Sequence, residues 1–429
     1  MNRILFIAPL PPPVHGSAMV SKYIKDSAKV QSVAQCDWVN LSTSRRMDEI
    51  GKGGAMKLLR FMGAYVKTLW LLLTHRYDLC YLAITCHGIG FLKDAPFVWL
   101  CKMFGCRVLI HQHNKGMSNC IERWPYRWLI PYIYKRARVI LLSWHLYPDI
   151  ARAVKREQVM ICPNGIRETV SGERSVLNGT DIKPSTQNPQ QEQRDLTKHF
   201  TLHTKHSTLN TQHYTLNSKQ EQRDLTKQER SVSLNTKQEH RSPLTVNLLF
   251  LSNLIPSKGV YVLLDACKIL KDRGVAFQCN FVGGESKEMD RRVFEQAVKE
   301  RGLEGCVLYH GPKYGEEKEQ YWRMADVFVF PTFYHNECMP LTILEAMQYG
   351  LPVVSTDEGA VPDMVADGEN GFVCRRKDVE GLAMALERLL QDEALRHRMG
   401  AEGYRIYQEK FTLSCFEHRF TEILREMNG

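Results

Sequence analysis

The sequence lacks long hydrophobic runs, closely spaced cysteines and the commonest cofactor motifs. None of its apolar stretches approaches the roughly 20 residues that a helix needs to span a membrane. The apolar start at 3–8 runs into three prolines at 11–13, which makes it too short for a secretion signal. The thirteen cysteines contain no CxxC pair, so we expect reduced thiols and neither a zinc site nor a disulfide framework. No GxGxxG follows a predicted strand and no Asp-x-Asp element is present, which disfavours a nicotinamide enzyme and a bound divalent metal.

Positive charge is abundant instead, and it is unevenly distributed. The net charge is +10, but 1–168 holds 24 Lys and Arg against 10 Asp and Glu, whereas 245–429 holds 22 against 29. A basic amino-terminal half suits an anionic lipid surface, a nucleic acid or an anionic substrate, and uneven solubilising charge is the simpler explanation. No recognition motif for nucleic acid accompanies the charge, so we expect no nucleic-acid partner.

Short apolar runs alternate with helical stretches, a pattern that predicts two doubly wound α/β domains with parallel sheets. Strands are predicted at 3–8, 78–84, 107–111, 139–143 and 159–162 in the first domain (1–168), and at 246–251, 277–282, 307–310, 327–330, 352–355 and 371–374 in the second (245–429). Helices are predicted at 55–75, 261–273, 287–301, 316–324, 341–349, 379–391 and within 392–427, whose last helix we expect to pack back on the first domain. Ligands of such sheets bind at the carboxyl ends of the strands, so a small anionic ligand is expected between the two domains.

The region between the domains, 169–244, has a different composition. It is rich in Gln, Thr, Ser, Lys, Asn and His and repeats QEQRDLTK at 191–198 and 220–227. Such a tract cannot bury enough apolar surface to offset the entropy of ordering it. We therefore predict a disordered insertion without a catalytic role.

The strongest local motif is ECMPLTILEAM at 337–347. Glu337 follows the strand predicted at 327–330, Pro340 suits a first helical turn, and Glu345 lies within the first turns of the helix. Two such carboxylates could accept hydrogen bonds from sugar or ribose hydroxyls, and the amino terminus of the helix favours phosphate. Taken alone, the motif is equally compatible with an ordinary helix start.

In its context the motif resembles the Glu–seven residues–Glu element, followed by Ala-Met, of glycosyltransferase family 4. These are retaining transferases with the GT-B fold, two Rossmann-like domains that face each other across a cleft. Further family motifs follow in order along the second domain: Lys258-Gly259, FVGG at 281–284, His310-Gly311, Ala325-Asp326, GLPVV at 350–354, GAVPD at 359–363 and NGF at 370–372. PPPVHGSA at 11–18, His113 and PNGI at 163–166 resemble amino-terminal elements of the family more loosely. The resemblance covers the chain apart from about 169–244.

The resemblance implies three catalytic residues for transfer from a nucleotide-diphosphate sugar. Lys258 would hold the diphosphate leaving group as a point charge, and Glu337 would contact the hydroxyls of the donor sugar. His113 would bond the sugar or stabilise positive charge on its ring. His111 and His15 are weaker candidates for this role, and the alternative for His113 itself is a purely structural role in the core.

The implied donor-binding set is larger. It comprises Gly16, Asn253, Lys258, Glu337, Met339, Pro340, Leu341, Glu345 and Gly359. Glu345 would bind the ribose, Gly359 would offer its backbone N–H, and Gly16 would let the first loop approach the phosphates without a Cβ. Asn253 departs from the family, which usually has an arginine there as a second cation, so stabilisation of the leaving group is weaker or comes from another basic residue.

These roles predict a metal-independent transferase without a cofactor, moving a hexosyl residue to a glycan or lipid-linked acceptor in bacterial surface polysaccharide synthesis. A non-catalytic nucleotide-sugar-binding partner and a nucleotide-sugar epimerase are the alternatives. We expect a cytoplasmic protein that touches the anionic inner face of the membrane, because 123–138 (RWPYRWLIPYIYKRAR) and the basic apolar helix at 55–76 suit a membrane interface. Buried crossover helices with basic ends explain these two segments equally well.

Overall fold

The structure is a computed structural model that describes residues 3–12, 16–43, 54–169 and 245–428. All of these belong to one compact unit, Met1–Val170 with Leu244–Gly429. The insertion predicted at 169–244 lies outside the described residues apart from Thr169, and so does His15.

The described part of the amino-terminal domain forms a sheet of six parallel strands in the order β2-β1-β3-β4-β5-β6. The strands are β1 Arg3–Ala8, β2 Gln35–Asn40, β3 Leu79–Leu82, β4 Arg107–His111, β5 Arg138–Leu141 and β6 Val159–Ile161. The helices are α1 Gly16–Asp26, α2 Ala28–Val33, α3 Ala55–Thr74, α4 Gly88–Met103, α5 Tyr126–Tyr134 and α6 Tyr147–Ile150. Successive side chains of a strand point to opposite faces, so each face of this sheet has its own apolar layer. Leu5 and Ile7 pack with Leu71 of α3 and Phe97 of α4, whereas Phe6 packs with α1, α2 and the last helix of the chain.

The carboxy-terminal domain has a second parallel sheet of six strands among the described residues, in the order β12-β11-β10-β7-β8-β9. Its strands are β7 Val246–Leu251, β8 Phe277–Val282, β9 Val307–Tyr309, β10 Val327–Phe330, β11 Val353–Thr356 and β12 Gly371–Cys374. Its helices are α7 Val260–Asp272, α8 Arg291–Glu300, α9 Gly315–Met324, α10 Leu341–Gln348, α11 Val361–Met364, α12 Val379–Gln391, α13 Glu393–Lys410 and α14 Leu413–Asn428. Two parallel six-stranded sheets confirm the predicted fold class.

The last helix, α14, leaves the second domain and packs on the first. Phe416 and Phe420 join the apolar layer that contains Phe6, and Arg419 Nε donates to the carbonyl oxygen of Ile161 at 3.1 Å. The helical conformation is interrupted between α13 and α14, where Ile166 forms an isolated β-bridge to Thr412. Two polypeptide segments from the first domain and the carboxyl end therefore meet at this point.

Every helix in the described ranges is too short or too polar to cross a membrane. All thirteen cysteines fall within these ranges and are free thiols, most of them buried.

Candidate active site

The strand order of the carboxy-terminal sheet reverses between β7 and β10, and the loops after these two strands form the centre of the site. A crevice opens at such a reversal because the two following connections leave toward opposite faces of the sheet. The loop after β7 makes a 3-10 turn, Pro256–Lys258, and the loop after β10 runs from 331 to 340. Phe333 N donates to Ser257 O at 2.8 Å, which fastens the two loops together.

Lys258 and Glu337 are in direct contact at this crevice. Lys258 Nζ donates to Glu337 Oε2, and both side chains are largely buried. The ammonium group also lies 4.6 Å from the ring centroid of Tyr334 and 5.4 Å from that of Phe330. A carboxylate and two aromatic faces thus hold one positive charge at the ends of the strands. This arrangement suits a point charge that receives a phosphate group.

Gly359 lies against the main chain of the same loop. Ala360 N donates to Cys338 O at 2.6 Å, and Gly359 has a φ of +61°. A Cβ on Gly359 would collide with the carbonyl oxygens of Glu337 and Cys338, so this position needs glycine for both its conformation and its space. The loop after β11 is thereby fixed beside Glu337.

Glu345 lies on α10 with one charged partner. Its Oε1 accepts from Lys318 Nζ of α9 at 2.8 Å, and its Oε2 is buried without a hydrogen-bond partner among the described residues. Burial, and then the charge of Glu345, raise the pKa of Tyr23 on α1, so this carboxylate is close to the amino-terminal domain. A buried oxygen with unused acceptor capacity can bind a hydroxyl group.

Gly16, at the start of α1, faces the beginning of α10 across the cleft. A Cβ at Gly16 would lie 4.0 Å from Cδ1 of Leu341. Pro340 is the residue that precedes the helix, and its φ of −68° suits this position. The first N–H groups of a helix have no partner within it, so the start of α10 offers donors toward the first loop.

The loop that carries His113 is fixed by one carboxylate. Asp149 accepts hydrogen bonds from the backbone N–H groups of Gly116, Met117 and Ser118, at 2.9 to 3.1 Å. This holds the residues after β4 in one conformation. His113 is half-buried there.

His111, the alternative to His113, belongs to the core. Its Nδ1 lies 2.8 Å from the hydroxyl of Tyr81, and its ring packs 4.0 Å from the ring of His113. Burial, and then His113, lower the pKa of His111 well below its ordinary value. His111 is therefore a neutral structural histidine behind His113.

Two predicted donor residues have structural partners. Asn253 Oδ1 accepts from Gly284 N at 3.1 Å, so its amide ties the loop after β7 to the loop after β8. Met339 is buried, and its sulfur accepts from Asn164 N of the first domain at 3.2 Å. Met339 therefore helps to join the domains, and Asn253 brings no charge to the site.

Sequence reasoning missed a charged cluster that bridges the domains. Glu358, which is 2% exposed, pairs with Lys115 of the first domain and, at 3.3 Å, with Arg376. A second bridge joins His145 Nδ1 to Asp363 Oδ1 at 2.9 Å. Lys115 comes two residues after His113, and Glu358 immediately precedes Gly359. This closeness to two predicted site residues was the only hint in the sequence that Lys115 and Glu358 lie near the site.

The described residues place no group of three or more His, Cys, Asp or Glu side chains where it could hold a metal ion. The structure brings together Lys258, Glu337 and Gly359, and it places Gly16 opposite Leu341. These groups can bind an anion at Lys258, next to carboxylates that can accept hydrogen bonds from hydroxyl groups.

Comparison with known proteins matches the carboxy-terminal part of this chain to a family. Residues 235–406 match the family described as "Glycosyl transferases group 1". The amylovoran biosynthesis glycosyltransferase AmsK of Erwinia amylovora is 33% identical over 153 residues, which cover 35% of this chain and 37% of that protein. The D-inositol 3-phosphate glycosyltransferase of Corynebacterium glutamicum is 26% identical over 306 residues, which cover 69% of this chain and 66% of that protein. AmsK and three other polysaccharide-biosynthesis glycosyltransferases match this chain over only 36% to 47% of their own lengths.

Solved structures extend the likeness in fold to the whole chain. Anabaena HepE in complex with UDP covers 99% of this chain and is itself covered completely, with a TM-score of 0.65 and 15% identity. The sucrose-phosphate synthase of Thermosynechococcus elongatus covers 100% of this chain, and 99% of it is covered, with a TM-score of 0.66 and 17% identity. At these identities the likeness establishes the fold alone. With its two parallel six-stranded sheets and these likenesses in structure, the chain has the GT-B fold, and its residues 235–406 match the glycosyl transferases group 1.

Proposed function

We propose that this chain is a retaining, metal-independent glycosyltransferase that moves a hexosyl residue from a nucleotide-diphosphate sugar to a hydroxyl group of a glycan or lipid-linked acceptor. The observation that carries the proposal is the contact of Lys258 with Glu337 at the reversal between β7 and β10. A cation beside a carboxylate suits a diphosphate next to a sugar, since the first binds phosphate oxygens and the second accepts from hydroxyl groups.

In the proposed reaction, the bond between the anomeric carbon and the phosphate oxygen breaks while a bond to the acceptor oxygen forms. The acceptor proton passes to the departing diphosphate. Lys258 is proposed to stabilise the negative charge that accumulates on that diphosphate, and Glu337 is proposed to stabilise the positive charge of the sugar ring. Glu345, with a buried oxygen free to accept, is proposed to bind the ribose.

Support for the donor and pathway comes from the relatives. HepE has been solved with UDP and with UDP-glucose, and matched proteins are named for amylovoran, colanic acid and capsular polysaccharide biosynthesis. We therefore propose a uridine-diphosphate sugar as the first donor to test. Bacterial surface polysaccharide synthesis, in the cytoplasm at the inner face of the membrane, is the proposed setting.

The test is release of nucleotide from a panel of nucleotide-diphosphate sugars, with a chelator present and with or without a membrane lipid extract. Turnover of one donor that rises with the extract would support the proposal and name the sugar. Isomerised donor in the absence of an acceptor would replace it with an epimerase. Anomeric configuration of the product, read by NMR, distinguishes retention from inversion.

A non-catalytic nucleotide-sugar-binding protein is the second candidate, and Asn253 is the observation that favours it. Its side chain carries no charge and is engaged with Gly284, so the second cation that the family usually has on the diphosphate is missing at this position. Tight donor binding without turnover under every condition would favour this candidate over the transferase.

A further inference from the structure

The outer surface of the amino-terminal domain exposes an apolar stripe along α3. Met56, Leu59, Met62, Val66, Trp70 and Leu73 follow each other at intervals of three or four residues and are 47 to 66% exposed. These intervals place the six side chains on one side of the helix. The opposite side, with Leu71 and Leu72, is buried against the sheet. α3 is thus apolar on both sides, although only one of them meets the protein core.

The neighbouring helices continue this surface. Phe61 and Tyr65 of α3 pack edge-on against Phe97 of α4, with ring centroids 5.6 and 5.5 Å apart. Lys102 of α4 donates to the carbonyl oxygens of Ile133 and Lys135 at the end of α5, at 2.7 Å each. The three helices therefore form one layer on one face of the sheet.

Aromatic and basic side chains alternate on the α5 side of this layer. Trp124 and Trp128 are 79% and 67% exposed, and Tyr132 follows at the same interval of four residues. Arg127 lies over the ring of Trp128, 5.2 Å from its centroid. Tryptophan and tyrosine are the side chains that favour the headgroup depth of a bilayer, where arginine meets lipid phosphate.

The charge of the layer is almost entirely of one sign. The three segments 55–74, 88–103 and 123–138 together hold ten Lys and Arg against one acidic residue, Asp94. Asp94 is buried, and its carboxylate accepts from Thr85 N at 2.9 Å. The outer surface of the layer therefore complements an anionic surface.

We propose that this three-helix layer, α3–α4–α5, docks on the surface of an anionic lipid bilayer, with the α3 stripe among the acyl chains and the α5 aromatics at the headgroups. The proposal rests on the proposed function, since docking would bring the enzyme to a lipid-linked acceptor. A bilayer fits better than the two other candidate occupants. The segment 169–244 is polar and carries a net charge of +3, so it suits neither the apolar stripe nor the basic side chains of the layer. The layer of a second copy carries the same positive charge, so two such layers would repel each other.

The experiment is co-sedimentation of the full chain with phosphatidylcholine vesicles that contain or lack phosphatidylglycerol, at low and high salt. We expect binding that requires the anionic lipid and weakens with salt. Replacing Leu59→Ser together with Leu73→Ser should weaken binding at least about tenfold by removing inserted apolar groups. Replacing Arg123→Glu together with Arg127→Glu should weaken it about 25-fold or more at low salt, at roughly fivefold for each cation lost.

Matched controls lie on the other domain. Met384→Ser removes an apolar side chain that is 54% exposed, and Arg292→Glu makes the same kind of charge change at a fully accessible arginine; both should bind vesicles like the unaltered chain. UDP binding in solution, measured by calorimetry without vesicles, is recorded for every variant. Lost vesicle binding with retained UDP binding supports the docking proposal.

Two results would overturn it. One is equal sedimentation of the unaltered chain with neutral and anionic vesicles, or none with either. The other is a concentration-dependent dimer that Leu59→Ser with Leu73→Ser disrupts, which would assign the stripe to a second copy. Neither result depends on whether the chain transfers sugar, and absence of UDP binding and turnover would count against the proposed function alone.

Discussion

The two domains share one architecture but present very different surfaces. Each has a parallel six-stranded sheet with helices on both faces, among the residues that the structure describes. Among the described residues, the first domain nevertheless exposes fifteen large hydrophobic side chains, and all but Trp144 lie on or beside α3, α4 and α5. The described residues of the second domain include six, and they are scattered. The same fold therefore supports a small-molecule site in one domain and an extended contact surface in the other, because function depends on what loops and outer helix faces carry.

The charged residues divide in a similar way. In the second domain, Lys258 and Glu337 lie in the loops after two strands and pair with each other, and Glu345 of α10 pairs with Lys318. In the first domain the cations are spread over the outer helices, with few acidic partners nearby. Paired charges in a crevice recognise one ligand geometry, whereas a surface with an excess of basic side chains attracts negatively charged surfaces. Experiments that alter one domain should leave the property of the other unchanged.

The largest effect is expected from Lys258→Ala. Loss of the cation on the leaving group should reduce turnover of the nucleotide sugar about 100- to 1,000-fold, as for removal of one preorganised transition-state donor. Released nucleotide in a steady-state assay measures it. Lys268→Ala, at an exposed lysine paired with Asp272, should have no effect. Normal turnover in the Lys258 variant would remove this residue from the site, and lost vesicle binding would contradict the separation of the two domains.

The ion pair between the domains gives the next largest effect. Lys115→Met leaves the buried carboxylate of Glu358 with Arg376 as its remaining partner, and we expect a loss of stability of about 2 kcal/mol. Thermal unfolding of the full chain measures it. Adding Glu358→Gln should restore part of the loss, because the buried carboxylate that lost Lys115 is then replaced by an uncharged amide. Arg152→Met, which breaks an exposed pair with Glu122, should change stability by less than about 0.5 kcal/mol. Equal effects of the buried and the exposed variants would refute a structural role for the bridge.

A smaller effect is expected from Glu345→Gln. The amide keeps the size of the side chain but loses the negative charge that strengthens hydrogen bonds from ribose hydroxyls and from Lys318. UDP affinity should therefore fall about tenfold. Calorimetric titration with UDP measures it, with Glu319→Gln as the control for a half-buried carboxylate that pairs with Arg323. An unchanged UDP affinity would separate Glu345 from the ribose site.

Much of the fold could be predicted because its strands are buried on both faces and appear as short apolar runs. Arg3–Ala8, Val246–Leu251 and Val327–Phe330 have the bounds that the sequence predicts. The edge strand Gln35–Asn40 was missed because polar residues interrupt its three apolar ones, Cys36, Trp38 and Val39, so no apolar run marks it. The predicted helix 287–301 begins later, at Arg291, because Asp290 accepts from Val293 N at 2.9 Å and caps the helix there.

The features that escaped prediction depend on residues far apart in the chain. No glycine or proline marks the break before α14; Ile166 makes it by accepting from Leu413 N at 2.8 Å and donating to Phe411 O at 3.1 Å. Lys115 and Glu358 are 243 positions apart, and neither belongs to a local motif. The exposed stripe of α3 has the composition of a buried helix, so the sequence left burial and membrane contact equally open. Only the packing shows which side of the helix meets the sheet.

The smallest expected effect concerns pH and the core of the first domain. His111 is fully buried beside Tyr81, and its pKa lies well below the ordinary value of 6.5. Below pH 6.5 the unfolded chain binds a proton that the folded chain excludes, so stability is complete above pH 6.5 and falls as the pH decreases. The loss is at most about 1.4 kcal/mol per pH unit. Melting temperatures between pH 7.5 and 5 should therefore fall less steeply for His111→Asn, whereas His397→Asn, at an exposed histidine, should match the unaltered chain. A steeper acid loss in chains that have His111 would identify this buried ring, which stacks on Phe420 of α14, as the source of the pH dependence. Equal slopes would exclude it.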